Sequence, residues 1–555
     1  NNDTQVLDGW LDALIDTFRH FPDTGIAGAS LVYPDGKMQE AGGIIFNDAS
    51  GWNYGKGDHA DRPEYHYTRE VDYCSGACIM LETALFRELG GFDTRFSPAY
   101  YEDTDLAFRA RARGLKVRIQ PAAVIVHHEG VTSGTDLSQG VKQHQVVNRE
   151  KFRERWKNEL EQYPDPINDP DDGTEIRRAR DHRLKGRILV IDAYTPEPDQ
   201  DSGSVRLCYL MNCMTQLGYG VTFMADNRSH AGSYTTSLQQ AGIEVIYSPW
   251  ADSLQQFFAD RGTEFDFVMI SRHYIASNYL SLIRRHCPGA KFIFDTVDLH
   301  YLREERMAEL EDSLPLKRTA AQTRRSELAV IEAADATIVV SPVEKTVLEE
   351  AAPGAKVHVI SNVHEVTGSQ CSFQKRKDIF FVGGYQHPPN IDAATWFVGE
   401  IWPLVRKELP DIEFHLIGSK APEQIRALNG NGVRFHGFVK TLEPWLDGCR
   451  MAVAPLRYGA GIKGKVNMSM ARGQPVVATP MAVEGMFAKA GHDVLVAESA
   501  EAFAAEVVRL YRDEALWNRV SEAGLENVRQ YFSVETATLG LQQLLSSLGE
   551  ASSPR

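Results

Sequence analysis

Residues 457–480 read RYGAGIKGKVNMSMARGQPVVATP. Gly459, Gly461 and Gly464 alternate with Lys463 and Lys465 ahead of a helical run, and Pro475 to Thr479 then reads as a buried strand. A Gly-rich loop of this kind leaves backbone N–H groups free to face an anion, and the following helix N-terminus adds partial positive charge. The two lysines could neutralise a diphosphate. A plain turn with surface lysines has the same composition. The place of the loop, late in a strand–helix series, favours the anion site.

That series starts at Lys185. Arg187–Ala193 is a β-branched run, and Val205 to Leu217 follows as a helix with Leu207, Leu210, Met211, Met214 and Leu217 on one face. Further apolar strands are predicted at 220–225, 243–247, 265–271, 291–295, 336–341 and 357–361. A second set is predicted at 378–383, 412–418, 433–436, 451–455, 475–479 and 494–497. Continuous apolar strands separated by helices imply parallel sheets covered on both faces. The fold class is therefore α/β, with two Rossmann-like domains over 185–372 and 373–535 and a C-terminal helix and tail over 536–555. A ligand cleft between the two domains is the natural expectation.

Ahead of this lies a block over 1–157. It is predicted to hold a helix at 10–21, a strand at 25–32, a strand-like run at 74–80, helices at 83–89 and 106–113, and two short strands at 117–119 and 124–126. Residues 158–184, rich in Pro, Asp and charge, read as a linker.

Composition bounds the rest. The 555 residues call for roughly three to four domains. A net charge of −16 argues against a broad nucleic-acid surface. Seven cysteines without a paired CxxC pattern fit a reduced, cytoplasmic protein. Cys74 and Cys78 lack a second Cys/His pair and read as core rather than metal ligands. There is no apolar run of membrane-spanning length and no signal peptide, and the start at Asn-Asn-Asp suggests a processed or excised piece.

Polar residues gather where the strands end. Asp199-Gln-Asp-Ser-Gly203-Ser204 precedes the first helix of the series, so Gly203 and Ser204 are candidates to meet a phosphate. Asp295 and Asp298-Leu-His300 follow the fifth strand, with Arg303 soon after, and Gly384 and His387-Pro-Pro-Asn390 follow the first strand of the second set. Taken singly, Asp298 also suits a helix cap and His300 a satisfied surface side chain.

With FVGGYQHPPN (381–390), HGFV (436–439), APLRYGAGIKGKV (454–466) and GQPVVATPMAVEGM (473–486) in place, residues 186–535 resemble a family 4 glycosyltransferase of the GT-B fold. The resemblance implies transfer from a nucleotide sugar, with retention and without an essential metal. It places Lys463 and Lys465 on the donor diphosphate, Gly203 and Gly384 near it, and His300 on the acceptor side. The two positions that many members fill with glutamate are Ala460 and Met468 here. Glu484 is the nearest remaining carboxylate by motif and the candidate for a donor-hydroxyl contact.

In the first block, Asn1-Asn-Asp3, Gly90-Gly-Phe-Asp93, Tyr101-Glu102-Asp103-Thr-Asp105-Leu and Val126-His127-His128-Glu-Gly130 occur in that order. Asp oxygens and His nitrogens suit Mn²⁺ or Mg²⁺. Equally, Glu102, Asp103 and Asp105 favour a helix N-terminus. The order resembles the second half of a family 2 glycosyltransferase of the GT-A fold, an inverting type. The resemblance implies Asp3 and His127 as metal ligands, with His128 an alternative, and Asp103 as the general base with Glu102 beside it. As the second half of such a domain, the block is expected not to bind a nucleotide sugar normally.

Together these resemblances imply a bifunctional hexosyl- or deoxyhexosyltransferase building a surface glycan such as O-antigen or capsule, at the inner face of the membrane. Its partners would be a nucleotide sugar and a glycan or lipid-linked acceptor. An acceptor-docking first block, or a carbohydrate-binding scaffold without turnover, are the other readings.

Overall fold

The computed structural model describes residues 2–128 and 143–549. In the first block the strands are β1 (Thr4–Val6), β2 (Thr24–Val32), β3 (Met38–Glu40), β4 (Gly43–Ile45), β5 (Gly51–Asn53), β6 (Arg69–Glu70), β7 (Ile79–Met80) and β8 (Lys116–His127). The main sheet runs β1-β8-β2-β3, with β2 and β8 parallel. The two short strands expected at 117–119 and 124–126 are one strand, β8. Its register against β2 slips between Ala29 and Ser30, opposite Gln120 and Val124. Pro121 lies in that interval, where a residue without an N–H is tolerated because the ladder is already broken. The run at 74–80 is strand only at β7, because the Ser75 and Gly76 amides bond to side chains instead of a neighbouring strand.

The second unit contains β9 (Arg187–Asp192), β10 (Gly220–Ala225), β11 (Glu244–Ile246), β12 (Phe267–Ser271), β13 (Lys291–Asp295), β14 (Ala336–Val339) and β15 (Val357–Val359). Among the described residues these form one parallel sheet in the order β11-β10-β9-β12-β13-β14-β15. Period-two geometry splits each apolar run between two cores. Ile188 and Val190 face Leu207, Leu210, Met211 and Met214, whereas Leu189 and Ile191 face Phe258, Tyr279 and Phe292.

In the third unit β16 (Lys377–Val382), β17 (Phe414–Ile417), β18 (Val433–Gly437), β19 (Cys449–Ala454), β20 (Val476–Ala478) and β21 (Leu495–Val496) form a parallel sheet ordered β18-β17-β16-β19-β20-β21. The C-terminal helix Val534–Ser547 returns to the second unit. Its Ala537, Leu541, Leu544 and Leu545 join the core beneath helix Ser202–Gln216.

Residues 158–184 include helix Gly173–Arg180 and tie the first block to the second unit. Buried Arg180 donates to the Tyr54 hydroxyl at 2.8 Å, and its guanidinium pairs with Asp181 at 2.7 Å. Arg187 bridges Asp181 at 2.6 Å and Glu244 at 2.9 Å, and Arg261 meets Glu244 from the other side at 2.7 Å. His182 and Arg183 both reach Asp72 of the first block, at 3.0 and 2.9 Å. These positive partners hold the Glu244 and Asp72 carboxyls well below the usual range against the opposing cost of burial.

Candidate functional site

Small residues bring the loop at 457–480 against the second unit. Gly461 has φ +65°, and a Cβ there would lie 3.0 Å from Asp298 Cβ. At Gly464 a Cβ would stand 2.6 Å from Ser202 Cβ, which brings the N-termini of helices Gly464–Ala471 and Ser202–Gln216 together. Their dipole ends therefore converge on one cleft.

Two ammonium groups line it. Lys463 Nζ donates to the Ala460 and Gly461 carbonyls at 2.8 and 2.6 Å. Lys465 Nζ donates to Asn390 Oδ1 at 2.5 Å and lies 4.3 Å from the Phe381 ring centroid. Both side chains are part-buried, and desolvation brings Lys463 down to about 8 and Lys465 to about 7. Glu484, Asp298 and Glu344 oppose the shift at Lys463, whereas at Lys465 the charge of Lys463 adds to it. Burial disfavours the charge of both lysines beside aligned helix ends, the setting in which a bound anion would favour their charged form.

The remaining candidates in the cleft are placed as follows. Gly384 offers its carbonyl to Asn390 Nδ2 at 2.8 Å, so Asn390 links it to Lys465. Gly203 sits in the first turn of helix Ser202–Gln216, but the donors of Ser204 are already engaged. Its N–H and hydroxyl both go to Asp201, at 2.9 and 2.8 Å. Asp201 is thus the N-cap of the helix whose first turn carries both candidates, Gly203 and Ser204. Glu484 is held by Arg306 in a two-point ion pair at 2.6 and 2.9 Å, and Arg306 also donates to the Gly459 carbonyl at 2.8 Å. Arg306 spans the cleft from helix His300–Leu310. Nothing in its mixed-charge sequence sets it apart.

His300 opens that helix and is buried. Its Nδ1–H donates to the Asp298 carbonyl at 3.1 Å, and the ring lies 3.4 Å from the Asp298 carboxylate and 3.6 Å from Glu327. Buried Glu327 accepts the amides of His300 and Tyr301 at 3.3 and 3.0 Å, fixing the helix start.

In the first block, Glu102 and Asp103 begin helix Glu102–Arg111 behind Tyr100 and Tyr101, with φ +76° and +73°. Strained backbone of this kind gathers at functional sites. Asp103 accepts from the Gly76 amide at 2.8 Å and the Thr104 amide at 2.7 Å. Glu40, absent from the sequence candidates, accepts from the adjacent Ser75 amide at 2.9 Å. Burial raises all three carboxyls: Glu40 to about 8, and Glu102 to about 7 with help from the Asp103 charge.

Asp3 and His127 meet because Thr4 pairs with His127 across β1 and β8. Asp3 Oδ1 is 3.5 Å from His127 Nε2, and His127 Nδ1–H donates to Gln39 Oε1 at 3.0 Å. The two residues expected to hold a metal thus stand side by side, an oxygen and an imidazole nitrogen, the donor types that suit Mn²⁺ or Mg²⁺. Among the described residues no third His, Cys, Asp or Glu joins them. The backbone N–H of His128 bonds to the Asp3 carbonyl at 2.9 Å. Asn1 and Glu129-Gly130 of the two motifs lie outside the described residues.

Residues 376–513 match the family model described as Glycosyl transferases group 1. The O-antigen biosynthesis protein RfbC of Myxococcus xanthus is 33% identical over 143 residues, 24% of this chain and 11% of that protein. An N-acetylglucosaminyl-diphospho-decaprenol L-rhamnosyltransferase of Mycobacterium tuberculosis is 29% identical over 155 residues, 26% of this chain and 50% of that protein. The chain spans half or less of the length of these relatives. A solved structure of sucrose-phosphate synthase from Thermosynechococcus elongatus superposes with a TM-score of 0.52 at 16% identity, covering 66% of this chain and all of that one. That likeness speaks to fold. The C-terminal part of the chain carries a glycosyltransferase group 1 domain within a two-Rossmann, GT-B-type fold.

Proposed function

We propose that the chain transfers a sugar from a nucleotide-sugar donor to a hydroxyl of a growing surface glycan of O-antigen or capsule type. The observation that carries this reading is the lysine pair at the start of helix Gly464–Ala471, inside the matched segment. Lys463, Lys465 and the helix end stabilise the negative charge that grows on the leaving diphosphate. With Nδ1–H committed to the Asp298 carbonyl, Nε2 is the His300 ring nitrogen left for an acceptor hydroxyl. The names of the two curated relatives support the glycan class. The family resemblance supports a retaining reaction without metal, and catalysis at the inner face of the membrane. Among the described residues no helix is long and apolar enough to cross one.

For residues 1–157 we propose an inverting, family 2-type role with Asp103 as base and Glu102 beside it. Asp3 and His127 would hold Mn²⁺ or Mg²⁺, which when bound supplies positive charge to a diphosphate. The ion network joining Asp72 to Arg183, and Asp181 to Arg187 and Glu244, favours a second reading, in which this block presents the acceptor to the neighbouring cleft.

Calorimetry with UDP-, GDP- and dTDP-sugars, with and without Mn²⁺, tests the first reading. One donor class is expected to bind without metal and to lose about a hundredfold in affinity on Lys465→Ala. Unchanged binding rejects the cleft. Metal-dependent transfer that disappears in Asp103→Asn separates catalysis in the first block from docking.

A further inference from the structure

The strand order of the second unit's parallel sheet reverses between β9 and β12, the first and fourth strands of that unit. In open parallel sheets, ligands bind beyond the carboxyl ends of the strands at such a reversal. Two exposed tyrosines flank this one. Tyr194 follows β9 and is 68% exposed; Tyr274 follows β12 and is 44% exposed. Single exposed aromatics are unremarkable, but two at one switch point are a local concentration of apolar surface.

The surroundings are built rather than loose. Arg272, directly before helix His273–His286, has φ +70°. It is held there by its amide on the Asp295 carbonyl at 3.0 Å and by its guanidinium on Asp192 at 2.7 Å. Such strain persists only where neighbouring contacts fix it. The Tyr274 ring stands edge-on to His300, with centroids 6.1 Å apart, and edge-on to His273 at 5.6 Å. His273 in turn lies 5.3 Å from His300. Arg272, Asp192 and Tyr194 are all within electrostatic reach of the Tyr274 phenol.

We propose that Tyr194 and Tyr274 form a shelf that stacks on a pyranose ring of the acceptor glycan and sets its position against His300. The chemistry selects the occupant. Two phenol rings present flat apolar faces with polar tips. Asp192 and Arg272, within electrostatic reach of the Tyr274 phenol, are paired with each other at 2.7 Å. A mixed pair of this kind suits neither a free anion nor a free cation. It suits a neutral ring with hydroxyls at its rim and C–H bonds on its face. The donor diphosphate is meanwhile directed to Lys463 and Lys465. The assignment rests on the glycosyltransferase reading and adds to it where, and by which side chains, the acceptor sugar is held.

Saturation-transfer NMR on the full chain tests it, using the methyl glycosides of α-L-rhamnose, β-D-glucose, α-D-mannose and β-D-galactose as probes. At least one is expected to bind, with the strongest transfer to ring C–H protons. Tyr194→Ala and Tyr274→Ala should each weaken that binding about tenfold, and Tyr274→Phe, which keeps the ring, should restore it. Nucleotide binding by calorimetry should stay at the wild-type level in all three variants, which also reports that they are folded. Glycoside affinity that survives both alanine substitutions, or binding of none of the four glycosides by the wild-type chain, overturns the shelf. Failure of the donor reading is separate, because it shows as nucleotide binding indifferent to Lys465→Ala.

Discussion

The cleft beside Lys465 and the pocket around Asp103 are both desolvated, yet they hold opposite charges. Burial drives the lysines down toward neutrality and the carboxyls up toward it, the same physical effect acting on cations and on acids. In the cleft the two lysines lie where burial disfavours their charge, with Glu484, Asp298 and Glu344 opposing that shift at Lys463 alone. The pocket carries an excess of carboxylate and is suited to taking a proton. One chain thus presents a lysine-lined cleft and an acidic pocket, joined through the ion network of residues 180–187.

The largest expected effect on stability comes from breaking that network. Arg187→Ala takes one of two arginine partners from buried Glu244, which keeps Arg261, and one from Asp181, which keeps Arg180, so the loss is expected at the low end of the about 3–5 kcal/mol that removing one partner of a buried pair costs. Chemical denaturation of the full chain should show this loss. A change under 1 kcal/mol would mean that the two regions are held mainly by other contacts.

Next is the pH response of the acidic pocket. The folded-state pKa of Glu40 is raised from 4.5 to about 8, so its stability contribution is complete below pH 4.5 and is lost as pH rises toward 8. The slope reaches at most about 1.4 kcal/mol per pH unit. Glu40→Gln should flatten this part of the profile between pH 5 and pH 8. Parallel wild-type and variant profiles would remove Glu40 from the pocket's electrostatics.

The pH response of the cleft concerns affinity and has a different origin. Lys463 and Lys465 sit at about 8 and 7 without a ligand, and a bound diphosphate restores their charge. Binding therefore takes up protons, and nucleotide affinity should fall by a factor on the order of 10²–10³ between pH 7 and pH 9 if both charges are needed. Calorimetry in buffers of different ionisation enthalpy measures the uptake directly. Zero uptake at pH 8 would sharpen the comparison against the cleft, since only the acidic pocket would then be tuned by burial.

Much of this was legible in the residues. The apolar runs from Arg187 to Ala497 announced parallel strands, because a strand buried on both faces has no polar side to show. The loop at 457–480 declared itself through Gly459, Gly461, Gly464 and two lysines. Glu40 gave no such signal. It lies 35 residues before the Ser75 amide that binds it, in a short strand whose fate depends on which neighbour it meets. Arg306 was likewise invisible, since its value lies in reaching Glu484, 178 residues away.

By itself, then, the sequence determined the class of each element and the residue types available for chemistry, because hydrophobic period and glycine tolerance are local properties of the chain. Only the tertiary structure decided the strand order that puts Tyr194 and Tyr274 at one switch point, the reach of Arg306 to Glu484, and the return of helix Val534–Ser547 to the second unit. It also decided which charges are tuned. Desolvation and charge pairing depend on what surrounds a group in space, and for Lys465, Glu40 and Glu244 those surroundings are assembled from distant parts of the chain.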